Sequence, residues 1–163
     1  MPYCHLYYHL VWFTRDGQPL LKPATEAMIH HLVRTKAMSL GATVYALNGM
    51  ADHIHIVAAV PPTISIDNFV GQLKVASAAR YNQPHPVSST FGWQGDYGVI
   101  SFDGKRLAHF VEYVEQQKER HAQNNLIPLL ERVSGDAGNL VREAEAEYDL
   151  DQEEWMREMM SEV

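Results

Sequence analysis

The sequence predicts an α+β chain with the element order βαββαβ followed by one more helix, and three observations predict it. Short runs rich in aromatic and branched residues occur at 5–14, 42–49, 53–60 and 97–102, the composition of strands. Two stretches between them, at 24–41 and 65–82, carry apolar residues at helical spacing with cap signals at their ends. A third helical pattern runs from about 105 to 121. At 163 residues the chain suffices for one domain with a real core and is too short for two comfortable ones.

The elements follow in order. "HLYYHLVWFT" (5–14) reads as a strand; His5 and His9 interrupt its apolar character and no basic region precedes it, so the N-terminus is not expected to be a signal peptide. "ATEAMIHHLVRTKAMSLG" places Met28, Ile29, Leu32, Val33, Ala37 and Leu40 on one helix face and stops at Gly41, a favourable C-terminal cap. Residues 42–49 and 53–60 are close enough in sequence to pair antiparallel. After Pro61-Pro62, "SIDNFVGQLKVASAARYN" has Ser65 as N-cap, Asp67 in the first turn, and Phe69, Val70, Leu73 and Ala76 inward. "YGVISF" (97–102) is the fourth strand, and Asp103-Gly104 turns the chain into the last helix. This order is that of the ferredoxin-like sheet with its helices on one face, plus a C-terminal helix.

Composition narrows the function classes. Cys4 is the only cysteine, which excludes an intrachain disulfide and fits a reducing compartment. No apolar run approaches the roughly 18 residues of a membrane span, so a cytoplasmic location is expected. The formal charge of −7 argues at first against nucleic acid, whose phosphates call for Lys and Arg. The charge is unevenly spread, however: residues 1–142 hold 12 Lys and Arg against 11 Asp and Glu, whereas 143–163 hold 1 against 9. The acidity belongs to a tail that either solvates the chain end or docks a partner through Leu150, Trp155, Met156, Met159 and Met160.

Two motifs carry chemistry. In "ADHIHIVAAV" (51–60) strand alternation turns His53 and His55 the same way, with Val57 and Ala59, while Ile54, Ile56, Ala58 and Val60 face the other side. Such a pair is either a satisfied structural couple or two ligands of a metal that needs at least one more. In "HFVEYVEQQKERH" (109–121), Tyr113 and Gln117 are four apart and share a helix face. The apolar stripe Leu107, Phe110, Val111 and Val114 is complete without Tyr113, so the phenol is not expected to be needed for the core.

Together these residues resemble the single-tyrosine HUH transposases of small single-strand insertion sequences and their REP-associated relatives. The likeness covers residues 5 to 121, with "YHLVWFTR" (8–15), "ADHIHIVAAVPP" (51–62), "FGWQGDYGVISF" (91–102) and "FVEYVEQQ" (110–117) in the family's order. The resemblance implies a catalytic domain over 1–125 and an acidic helical extension over 126–163. It implies that His53, His55 and Gln117 bind a divalent metal that polarises the scissile phosphate of single-stranded, hairpin-containing DNA. Mixed nitrogen and oxygen ligation without thiolate suits Mg²⁺ or Mn²⁺. Tyr113 is then the nucleophile, forming a 5′-phosphotyrosine and a free 3′-hydroxyl before strand transfer. A proton acceptor for a phenol of ordinary pKa near 10 is required, and the sequence does not name one.

The same resemblance implies a homodimer, with the tyrosine helix supplied in cis or in trans. Arg15, Lys74, Arg80, Lys105 and Arg106 are candidate phosphate contacts, and Trp93 and Tyr97 either stack unpaired bases or form the edge of the core. His109 and His121 are assigned no role. Two further readings stay open: a domesticated relative that binds hairpins as a regulator without cutting, and a hydrolase that uses the histidine pair alone. Against the family's basic character stand the near-neutral core, the acidic tail and Asp96 in the aromatic loop.

Overall fold

The computed structural model describes residues 2–84 and 91–134. The acidic run 143–163 and its docking candidates lie outside the described residues. Four strands, β1 (Tyr7–Phe13), β2 (Thr43–Gly49), β3 (His53–Ala59) and β4 (Gly98–Phe102), form one sheet in the order β2-β3-β1-β4. Every pairing is antiparallel. Helices α1 (Pro23–Ser39) and α2 (Ile66–Asn82) are followed, after β4, by α3 (Leu107–Glu115), α4 (Gln117–Gln123) and α5 (Pro128–Glu131). This is the ferredoxin-like order the sequence predicts. Among the described residues no helix is long and apolar enough to cross a membrane.

The sheet separates two cores. On one face Leu10, Trp12, Ile54, Ile56, Ala58 and Val60 pack against Ile29, Val33 and Ala37 of α1 and Phe69, Val70 and Leu73 of α2. On the other, Val57 and Ala46 pack against Phe110, Tyr113 and Val114 of α3 and against Leu130 of α5. β3 is covered on both faces and all but its last residue is buried, as befits an inner strand with helices on either side.

Local signals act largely as expected. Ser65 Oγ caps α2 by accepting from the Asn68 N–H at 3.2 Å, and Gly41 takes a φ of +83° just past α1, where a side chain would be strained. Met28 departs from expectation: it is exposed, and Ile29, Val33 and Ala37 form the buried stripe. On α2 the fourth buried position is Ser77 rather than Ala76. Its hydroxyl donates to Leu73 O at 2.7 Å and accepts from Trp93 Nε1 at 2.9 Å, so a polar residue is satisfied where an apolar one was expected.

The last helical pattern is not one helix. It opens with a 3₁₀ turn, Gly104–Arg106, and breaks at Gln116 between α3 and α4. Asn48 Nδ2 of β2 donates to the Glu115 carbonyl at 2.9 Å, which engages that carbonyl from outside the helix and accounts for the break. Lys118, on α4, donates to Glu26 Oε1, Asn48 Oδ1 and Gly49 O at 2.6, 2.9 and 3.0 Å. The helix pair is thereby tied to the end of the sheet that carries the histidines.

Gly49 ends β2 where the chain turns toward His53, and a Cβ there would run into His53 O and lie 2.8 Å from Ile54 Cα. Both are backbone atoms and cannot rotate away. Gly49→Ala is therefore expected to cost about 1–3 kcal/mol, the usual range for overpacking, read as a lower urea midpoint with the m-value unchanged.

Candidate metal and tyrosine site

β3 directs His53 and His55 toward the α3 side of the sheet, and both are buried, at 2% and 0% exposure. Each has its Nδ1 engaged by a neighbour. His53 Nδ1 is 2.7 Å from Asp52 Oδ1, and His55 Nδ1 is 2.9 Å from His9 Nε2, across the β1–β3 pairing. Asp52 is held in place by the Thr14 N–H and hydroxyl, which donate to its carbonyl at 2.8 and 3.1 Å. Anchoring Nδ1 leaves Nε2 of each ring aimed into the site, the arrangement that orients imidazole ligands of metals.

The other half of the site comes from the C-terminal helices, and its hub is Glu131. Tyr113 Oη donates to Glu131 Oε1 at 2.5 Å, and Gln117 Nε2 donates to the same oxygen at 3.1 Å. Glu131 Oε2 lies 3.1 Å from His55 Nε2 and 3.5 Å from His53 Nε2. The Tyr113 hydroxyl also accepts from the Ile127 N–H at 3.1 Å, and the Arg120 guanidinium carbon lies 4.8 Å from the phenol ring centre. One chain thus brings the histidine pair, the tyrosine and the glutamine to a single point.

Charge states follow from burial. Burial pushes His55 down despite the Glu131 carboxylate beside it, and His9 well below its ordinary value, so both rings are neutral near pH 7. Burial, then the hydrogen bond to Glu131, push the Tyr113 phenol above its usual 10. For Glu131, burial acts upward, but the His55, Tyr113 and Gln117 contacts outweigh it and hold the carboxyl near about 2.

The donor set fits a divalent cation. One ligand atom each from His53, His55 and Glu131 lie within 4.8 Å of one another. His53 Nε2 and Gln117 Oε1 are buried without a hydrogen-bond partner. An amide oxygen can only accept, so a cation or a donor is what would satisfy it. Neutral imidazoles and oxygens are ligands for borderline and hard divalent metals.

A sequence profile of IS200-like transposases matches residues 3–117. The chain belongs to that family. It is 27% identical over 120 residues to the ISDra2 transposase TnpA of Deinococcus radiodurans, an alignment covering 71% of this chain and 86% of the relative. Among solved structures, a Deinococcus radiodurans R1 protein described as a transposase superposes with a TM-score of 0.57 at 27% identity, covering 72% of this chain and 95% of the other. A REP-associated tyrosine transposase bound to a REP hairpin superposes at 0.54 and 12% identity, covering 74% and 69%, a likeness of fold.

Several residues of this IS200-like transposase differ from their expected settings. Tyr113 is 2% exposed and packs within the α3-side core, so the phenol serves packing as well as presenting its hydroxyl. Lys74 is no free cation: its ammonium donates to the carbonyls of Gln94, Gly95 and Asp96 at 2.8, 2.9 and 2.8 Å and clamps the aromatic loop. Trp93 and Tyr97 pack against the α1/α2 core, on the sheet face away from the histidines; Trp93 meets Trp12 and Phe91 edge-on.

Arg80 donates to Gln83 Oε1 at 2.5 Å, Arg15 lies over Gly92, and Lys105 and Arg106 sit in the turn before α3. His9, Asp52 and Glu131 were not singled out by the sequence reading. Asp52 and His9 could have been sought as partners for buried imidazoles; Glu131, 14 residues beyond Gln117, carries no spacing signal at all.

The low folded pKa of Glu131 has a signed consequence. A carboxyl held below its unfolded value adds stability that is complete above about 4.5 and is lost as pH falls toward about 2. The urea midpoint of the native chain is expected to fall more steeply across that window than the midpoint of Glu131→Gln. The buried histidines, pushed down by burial and held up in part by Glu131, add a loss of their own in both proteins as pH falls below about 6.5.

Proposed function

We propose that this chain is a metal-dependent single-strand DNA transposase with Tyr113 as nucleophile and His53, His55 and Gln117 at the metal. The observation that carries the reading is the meeting of the Tyr113 hydroxyl and the His55 imidazole on one carboxylate, at 2.5 and 3.1 Å. A hydrolase built on the histidine pair alone has no use for a phenol held there. A regulator that only binds hairpins has no use for two imidazoles each anchored through Nδ1.

Tyr113 Oη attacks the phosphorus of a DNA phosphodiester. The P–Oη bond forms, the P–O3′ bond breaks, and the products are a 5′-phosphotyrosine and a 3′-hydroxyl that takes up a proton. Attack of a 3′-hydroxyl on the phosphotyrosine reverses the bonding and joins strands without ATP. Glu131, ionised and hydrogen-bonded to the phenol, is the acceptor for the tyrosine proton, and the Arg120 guanidinium over the ring favours developing phenolate charge.

A bound Mg²⁺ or Mn²⁺, held by His53, His55 and Gln117 with Glu131 beside them, supplies Lewis-acid polarisation of the phosphate oxygens. The REP hairpin bound by the REP-associated relative supports hairpin-bearing single strands as substrate. A homodimer, phosphate contacts from Arg15, Arg80, Lys105 and Arg106, and a cytoplasmic location complete the proposal, with a catalytic unit that runs past the expected boundary at 125 to include Glu131.

With labelled single-stranded oligonucleotides from the flanks of its own gene, the protein is expected to form a denaturant-stable DNA adduct in Mn²⁺ and none in EDTA. Tyr113→Phe should abolish the adduct while hairpin binding by gel shift persists; cleavage that survives in Tyr113→Phe would mean a water nucleophile instead. Asp52→Ala, which frees the His53 ring, should raise the Mn²⁺ concentration for half-maximal adduct by about 10–100-fold, the usual cost of losing a ligand's orienting partner.

A further inference from the structure

His121 lies on α4, four residues after Gln117 and eight after Tyr113, so the three share one side of the α3–α4 run. Its Nε2 is 3.7 Å from Glu131 Oε2, the oxygen that His55 and His53 approach at 3.1 and 3.5 Å. The His121 and His53 ring centres are 5.0 Å apart. Both rings, with Asp52 and Glu131, line a cleft of about 550 Å³ that also reaches Phe13 and Met50. Three imidazole nitrogens, two from strand positions and one from a helix, therefore face one carboxylate oxygen.

Three buried atoms at this point lack a hydrogen-bond partner: His53 Nε2, His121 Nε2 and Gln117 Oε1. Their chemistry separates a cation from an anion. A phosphate oxygen would accept from protonated imidazoles but would leave the Gln117 oxygen facing another acceptor. A cation satisfies the amide oxygen and all three nitrogens at once. Gln117 is 0% exposed, so bulk water does not solve the problem for it.

We infer that His121 is a metal ligand, joining His53, His55 and Gln117, with Glu131 beside them, in a three-imidazole centre. The inference rests on the metal-dependent reading above and extends it to the identity of the ion. Mg²⁺ prefers oxygen ligands and octahedral geometry, whereas imidazoles suit Mn²⁺, Co²⁺ and Zn²⁺ progressively better. A centre with three imidazoles therefore binds Mn²⁺ and Co²⁺ well ahead of Mg²⁺.

The test is metal binding by the full-length protein without DNA, by titration calorimetry with Mn²⁺, Co²⁺ and Mg²⁺ and by the visible absorption of the Co²⁺ form. His121→Gln and His121→Ala are expected to weaken Mn²⁺ and Co²⁺ at least about 10-fold and to alter the Co²⁺ spectrum. Mg²⁺ binding should change less than about 3-fold, and the exposed His31→Gln should change nothing. Urea midpoints verify that the variants fold, and Gln serves if Ala does not. Unchanged Mn²⁺ affinity and an unchanged Co²⁺ spectrum in both His121 variants would overturn the inference while leaving the Tyr113 adduct test standing. Wild-type protein that binds Mg²⁺ as tightly as Co²⁺ would overturn it as well. Failure of the transposase reading is separate, since it would appear as an absent adduct in protein that binds Mn²⁺ normally.

Discussion

The register of β3 is the constraint on which the rest of the molecule depends. His53 pairs with Phe13 and His55 with Val11 of β1, while Asn48 and Gly49 of β2 lie opposite His55 and Ile54. With both faces covered, a slip of one residue would exchange Ile54 and Ile56 for the two histidines. Ile54 and Ile56 would lose the α1/α2 core, and two imidazoles would enter an apolar layer with no partners. Each buried isoleucine is worth about 1.5–3 kcal/mol in transfer free energy alone. The apolar face thus fixes the direction of the polar one, and the stability of the sheet and the placement of the histidines are one property.

Holding two buried imidazoles in that position requires partners, and the two chosen differ in kind. Asp52 can only accept when ionised, so it fixes the hydrogen of His53 on Nδ1 and leaves a lone pair on Nε2. His9 can either donate or accept. With His55 donating from Nε2 to Glu131, its Nδ1 accepts from His9; with the His55 Nε2 lone pair free, Nδ1 donates to His9 instead. A glutamine or serine at position 9 could also play both parts, but an imidazole does so while filling the space against Phe110, whose ring centre is 6.0 Å away. Position 9 therefore joins a packing demand to a tautomeric one.

Much of the fold was legible because it rests on local signals. Gly41, Ser65 and the strand runs act within a few residues of themselves, and the order of elements follows. The His53/His55 pair and the Tyr113/Gln117 spacing were legible for the same reason, since each is a two- or four-residue periodicity. What escaped depends on contacts distant in sequence. The Glu115 carbonyl is met by Asn48, 67 residues away, so the helix break could not be read from 105–121 alone. Lys74 looked like a phosphate ligand because nothing nearby in sequence marks three carbonyls 20 to 22 residues on as its acceptors. Tyr113 looked dispensable to the core because Leu130, which packs in the same cluster, lies beyond the helix that carries it.

That last contact bears on where the functional unit ends. The family match stops at residue 117, yet the site does not. Leu130 is 3% exposed among Ala46, Val57, Phe110, Tyr113 and Val114, the Ile127 N–H donates to the Tyr113 hydroxyl, and Glu131 joins that hydroxyl to the histidines. On the sheet, β4 makes room for this segment by having no side chain at Gly98, where a Cβ would run into Arg132 O and lie 2.9 Å from Val11 Cγ1. A glycine in an edge strand with a carbonyl against it marks a close backbone approach rather than a loose end. The extension from 126 therefore begins as part of the packed core: residues 127–132 position the phenol, and the chain beyond them starts from an anchored point beside the site.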